Sequence, residues 1–184
     1  MSLKHAILGF LGYRSCTGYD LKRLFDHTVR HFWPADQSQI YRTLGRLEDQ
    51  ALVRMELVPQ QDRPNRKLYH ITDAGREELR RWLTQPLPPP EAREATLIQL
   101  FFAGAVGDQQ VLDQLRLYLQ GARMGLAQFE GMEFGDLVAG EGLGDARDEF
   151  YQALTLDHGI AMMRAEVAWL EGVVALLEDR IRDQ

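Results

Sequence analysis

The hydrophobic positions of this chain keep two different periods, and the changes between them mark out its elements. Leu3 to Leu11, LKHAILGFL, predicts a short apolar helix, which Gly12 to Ser15 end. Thr17 stands where it can cap a second helix, with Asp20 at the third helical position. That helix is predicted from about Gly18 to Arg30, with Leu21, Leu24, Phe25 and Thr28 inward and Lys22, Arg23 and Asp26 outward. FWPA then turns the chain into the stretch from Asp36 to Leu52, DQSQIYRTLGRLEDQAL. There Ile40, Leu44, Leu47 and Ala51 recur at steps of four, three and four, so they share one side of a helix. Asp36 and Gln39 have the spacing of a capping box, and Pro34 keeps the helix from starting earlier.

After Leu52 the period falls to two. Val53, Met55 and Leu57 alternate with Arg54 and Glu56, as in a half-buried strand. Pro59 to Asn65 is turn chemistry, and RKLYHI (Arg66 to Ile71) is the returning strand of a hairpin. Thr72 caps a fourth helix, Asp73 to about Leu83, with Leu79, Trp82 and Leu83 as its expected buried side. Helix, helix, helix, hairpin, helix is the order of a winged helix-turn-helix. QPLPPP, Gln85 to Pro90, then interrupts every period and reads as a stiff spacer.

Three helical segments are predicted beyond it. Ala92 to Ala103 is apolar nearly all round (Leu97, Ile98, Leu100, Phe101, Phe102), the pattern of a helix buried on several sides. A second begins at Asp108, with Val111, Leu115, Tyr118, Ala122 and Phe129 inward, and a glycine-rich loop follows from Gly131 to Gly144. The last, about Asp145 to Ile181, carries Leu156, Ile160, Met163, Val167, Leu170, Val174, Leu177 and Ile181 at alternating steps of four and three. That seam asks for a second helix of similar length, and a second copy of the chain is the expected partner. The whole is therefore expected to be mainly α: a winged helix-turn-helix domain over 1–84, a proline-rich linker over 85–91, and an all-α dimerisation or effector domain over 92–184.

Charge sharpens this division. The net charge of −6 argues at first against a nucleic-acid partner. Residues 1–84 nevertheless hold 14 lysines and arginines against 10 acids, while residues 85–184 hold 7 against 17. A basic half joined to an acidic half suits a chain in which only one part meets a polyanion. Ser38, Gln39, Arg42 and Arg46, with Tyr41 beside them, occupy the outer face of the third helix. Such side chains reach phosphates and base edges. Arg63, Arg66 and Lys67 at the hairpin tip add a basic wing.

Residues 3–83 resemble the PadR family of bacterial transcriptional regulators. LKHAILGFL, TGYDLKRLF, IYRTLGRLEDQALV and DRPNRKLYHITDAGREEL carry the resemblance. The helical remainder looks like the larger of that family's two C-terminal types, also found in a related virulence-gene activator. The resemblance implies a dimeric DNA-binding regulator, most often a repressor, and many relatives respond to small, often aromatic, molecules. It places DNA contacts at Tyr19, Ser38, Gln39, Tyr41, Arg42, Arg46, Arg63, Arg66 and Lys67. One departure is the turn WPADQSQ, which lacks the glycine common before the recognition helix.

The remaining signals point to ordinary structure. His27 and His31 have a metal-ligand spacing, but no further ligand is arranged to complete a site. Gly140 to Gly144, GEGLG, follows no strand and has acidic neighbours, which would repel phosphate. Asp145, Asp148 and Glu149 suit the positive end of the last helix. Trp33, Trp82 and Trp169 are candidates to line an aromatic pocket, and otherwise core. Cys16 has no second cysteine to pair with and fits a reducing cytoplasm. No nucleophile with a base and no paired carboxylate stands out, so a cofactor-free, metal-free, non-enzymatic regulator is expected. No apolar run reaches the roughly 18 residues of a membrane span, and no signal-peptide core is evident. The open alternatives are an activator of the same fold and a winged-helix adaptor that binds protein instead of DNA.

Overall fold

A computed structural model describes residues 2–60, 65–87, 94–131 and 143–183. They fall into two units, one within Met1–Leu87 and Phe134–Tyr151, the other within Pro88–Glu133 and Gln152–Gln184. The fold is mainly α-helical with one small sheet.

In the first unit, α1 (Ser2–Tyr13), α2 (Gly18–His27) and α3 (Gln37–Asp49) are followed by strands β1 (Val53–Val58) and β2 (Arg66–Ile71) and by α4 (Asp73–Leu83). The strands pair antiparallel from Val53↔Ile71 to Val58↔Arg66, so the wing is a regular hairpin. Ile7, Leu8, Leu21, Leu24, Phe25, Ile40, Leu44 and Leu47 form a closed core beneath the three N-terminal helices, with Val53 and Tyr69 bringing the hairpin onto it. Both expected capping boxes form. Thr17 receives the Asp20 N–H and Asp36 receives the Gln39 N–H, while each partner side chain accepts the cap residue's own N–H.

Several expectations shift. α2 stops at His27, so His31 lies beyond the helix and the two histidines do not share a helical face. α3 stops at Asp49, and Ala51 is exposed with φ of 56°, a left-handed residue that turns the chain from helix to strand. Leu57 is exposed because the end of the hairpin extends past the core, and Leu83 is exposed on the last turn of α4. Leu143 joins the first unit's core, and Asp148 accepts a hydrogen bond from the Tyr13 hydroxyl at 3.0 Å. The stretch around residue 148 is thus counted with the winged-helix unit, although sequence alone groups it with the C-terminal half.

The second unit holds α5 (Ala95–Phe101), a 3-10 turn (Ala103–Ala105), α6 (Asp108–Glu130) and most of α7 (Ala146–Arg182), whose residues from Gln152 onward belong here. Leu112, Leu115 and Leu119 of α6 meet Val167, Leu170 and Val174 of α7 in a second core. Of the positions expected inward on α6, Leu115 is in this core and Val111 and Ala122 pack against it, Leu112 and Leu119 join them, and Tyr118 is exposed, its hydroxyl donating to Gln99 Oε1 at 2.8 Å. Ion pairs from Arg116 to Glu178 and from Arg123 to Glu171, both at 2.7 Å, flank this contact.

Two expectations about burial are corrected. The predicted seam is present, with Leu156, Val167, Leu170 and Val174 buried and Ile160, Met163, Leu177 and Ile181 half-buried. Its centre is covered by α6 of the same chain, so Val167 and Leu170 need no second copy. Conversely α5 is not buried: Leu97, Ile98, Phe101 and Phe102 are exposed, Phe101 by 82%. Among the described residues nothing covers that side of α5.

A candidate nucleic-acid interface on α3 and the wing

The core stripe of α3 determines what its other side presents. With Ile40, Leu44 and Leu47 buried, Ser38, Gln39, Tyr41, Arg42 and Arg46 are all exposed on the outer side. Arg42 Nε lies 3.4 Å from the Ser38 carbonyl oxygen, one turn back, which lays its guanidinium along the helix surface. Gln39 Oε1 accepts the Asp36 N–H at 3.1 Å, so its amide oxygen is engaged in the cap and its NH2 group is what remains to donate outward.

The N-terminal end of α2 joins this face to the wing. Cys16 forms an isolated antiparallel bridge with Tyr69 of β2, through Cys16 N–H to Tyr69 O at 3.2 Å and Tyr69 N–H to Cys16 O at 2.9 Å. Cys16 is thus buried at a structural junction. Four residues on, Asp20 Oδ2 lies 3.6 Å from Arg66, at the loop end of the wing. Burial pushes the Asp20 carboxyl up, but hydrogen bonds from the Thr17 N–H and hydroxyl, with Arg66 and Arg23 nearby, outweigh it and hold it below the usual carboxylate range. Burial raises the Tyr69 phenol, with Glu48 and Tyr41 adding to the effect. Tyr19, in the first turn of α2, is 66% exposed, and Arg66 and Lys67 are exposed on β2. Arg63 lies outside the described residues, as do 88–91 of the linker and 140–142 of the GEGLG run.

The structure therefore brings eight of the nine expected contact residues onto one unit: six on α2 and α3 and two on the wing. The Asp20–Arg66 pair and the Cys16–Tyr69 bridge were missed in sequence, because partners some fifty residues apart leave no local pattern.

Residues 7–81 match the transcriptional regulator PadR-like family, and residues 92–178 match the virulence activator alpha C-terminal family. A probable transcriptional regulator of Mycobacterium tuberculosis is 35% identical, over 98% of this chain and 100% of its own. The chain belongs to the PadR-like family of transcriptional regulators. The negative transcriptional regulator PadR of Bacillus subtilis is 28% identical over 96% of this chain and 97% of its own. Its crystal structure with operator DNA aligns at a TM-score of 0.83, covering 96% of this chain and 99% of that one at 27% identity. The same PadR has been solved with p-coumaric acid, at a TM-score of 0.76, 27% identity and 96% and 95% coverage. The Vibrio cholerae virulence activator AphA aligns at 0.73 with 28% identity, covering 97% of this chain and 99% of that one. The winged-helix and helical parts of the PadR-like architecture are both present here.

A cavity of about 480 Å³ lies within the first unit, lined by His5, Tyr13, Val29, Trp33, Trp82 and Asp148 among others. The His5 ring stacks on Trp82 at 4.4 Å and 7°, and His5 Nε2 is 3.2 Å from Glu78 Oε1. Two of the three tryptophans thus share one wall-lined space, and Trp169 belongs to the other unit. Among the described residues no helix is long and apolar enough to cross a membrane.

Proposed function

We propose that this regulator acts in the cytoplasm as a homodimeric repressor of a pseudo-palindromic operator. The observation that carries this is the capped α3 with Ser38, Gln39, Tyr41, Arg42 and Arg46 on its open face, beside a basic wing in the same unit. α3 enters the major groove, where Arg42 and Arg46 read guanines or grip phosphates. Tyr19, Arg66 and Lys67, with Arg63, hold the flanking backbone. Residues 1–84 are the DNA-binding domain, 85–91 the linker and 92–184 the source of the dimer. In that dimer the second chain covers what one chain leaves bare: α5 at Leu97, Ile98, Phe101 and Phe102, and α7 along the flanks of the stripe from Leu156 to Ile181. Repression is the preferred outcome because Bacillus subtilis PadR is a negative regulator.

The effector is a small aromatic molecule, by the example of PadR with p-coumaric acid, and the cavity at His5, Trp33 and Trp82 has the size and apolar lining for one. One wall of that cavity, Val29 to Trp33, is the segment that leads into α3, so occupancy bears on the recognition helix. The test is a mobility shift with the DNA upstream of the protein's own gene at several salt concentrations. Binding should weaken linearly on a log–log scale with a slope of about −0.9 per phosphate contact. Absence of any shift at low salt would leave the adaptor reading in its place.

A further inference from the structure

Gly18 opens α2 and is buried, and the space where its side chain would stand is occupied by another element. A Cβ built there would lie 2.5 Å from Tyr41 Cε1, 2.6 Å from Cζ and 3.0 Å from the phenolic oxygen. The outer half of the Tyr41 ring therefore lies on bare backbone, while the side chain as a whole stays 42% exposed on the open face of α3. We propose that Gly18 is a positioning residue for DNA recognition, the seat that holds the Tyr41 ring where it meets the operator. The proposal rests on the reading of α3 as the recognition helix.

Of the two parts of this contact, only the ring can yield. The backbone at Gly18 is held from both sides. Thr17 donates its N–H to Asp20 at 2.9 Å and its hydroxyl to the same carboxylate at 2.7 Å, and it receives the Asp20 N–H at 3.1 Å. Cys16 is tied to Tyr69 by two backbone hydrogen bonds. Among the described glycines only Gly144 has a positive φ, so alanine fits the backbone of Gly18 without strain. Tyr41 has two free torsions and a solvent side to swing into. An added methyl group thus displaces the phenol and leaves the fold intact. The absence of a side chain at position 18 acts on DNA only through Tyr41, which makes the effect separable from folding.

The experiment measures the affinity of full-length Gly18→Ala, Tyr41→Ala and the double variant for the upstream duplex and for a random duplex of equal length, beside their thermal melts. Gly18→Ala should melt as a cooperative folded protein, bind the upstream duplex about tenfold more weakly, and lose little on random DNA. In the Tyr41→Ala background the same substitution should cost nothing further. Equal losses in both backgrounds would overturn the proposal, as would full affinity in a folded Gly18→Ala protein. A Gly18→Ala chain that fails to fold also overturns it, since the backbone would then be the part that could not adapt. Failure of the underlying reading looks different: wild-type protein would bind both duplexes alike, and the seat would fall with it.

Discussion

Arg42 and Arg46 stand one turn apart on α3, and among the described residues neither has an acidic partner, whereas Arg66 is held 3.6 Å from Asp20. The difference predicts different roles. A guanidinium with no carboxylate to give up can spend its donors on a base edge, whereas Arg66 must exchange one anion for another. Arg42→Ala or Arg46→Ala should cost about 1–3 kcal/mol on operator DNA and much less on random DNA. Lys67→Ala should weaken both similarly and reduce the salt slope by about one. Fluorescence anisotropy titrations on both duplexes at several salt concentrations separate the cases, and equal losses for Arg42→Ala on the two would make it a phosphate contact. At this scale the sequence was informative wherever partners are close along the chain. The capping boxes at Thr17 and Asp36 and the exposed side chains of α3 follow from spacing alone. The Gly18–Tyr41 contact does not, because a glycine's lack of a side chain leaves no sign of what fills the space.

Among the elements, periodicity told which side of each helix is apolar but not what covers it. β1, β2 and α4 lie close to their expected bounds because caps and turn residues mark their ends. The stripe on α7 was equally legible, yet its centre packs on α6, and α5, apolar all round, is the exposed one. A stripe of period 3.5 is the same whether its partner is the same chain or another. On α6 the apolar positions span a broad arc, and it is the position of α7 that puts Leu112, Leu115 and Leu119 at its centre, Val111 and Ala122 at its edge and Tyr118 outside it. Two substitutions should now part company. Leu170→Ala removes a side chain only 1% exposed and should destabilise the fold by about 2–5 kcal/mol. Phe101→Asp, at 82% exposure, should leave the chain's own core unaffected and dissociate the dimer. Thermal melts paired with sedimentation equilibrium decide this; a Phe101→Asp protein that stays dimeric would place the interface elsewhere.

For the whole molecule the distribution of charge says more than its sum. A net −6 conceals a basic winged-helix half, and the acidic helical half keeps the remainder of the chain away from the polyanion. The order of helices, hairpin and helix was readable because the period of each element and the caps that bound it are local in sequence. The membership of the stretch near residue 148 was not, since its contact with Tyr13 spans 135 residues. If two copies present α3 on one face, each reads half of a symmetric site, and the half-sites must lie about one helical turn, or a multiple of it, apart. Selection of bound duplexes from a random pool by the full-length protein, followed by sequencing, tests this most directly. An inverted repeat with half-site centres about 10 base pairs or a multiple apart should be enriched. Enrichment of an unrepeated site, or of no sequence at all, would contradict it.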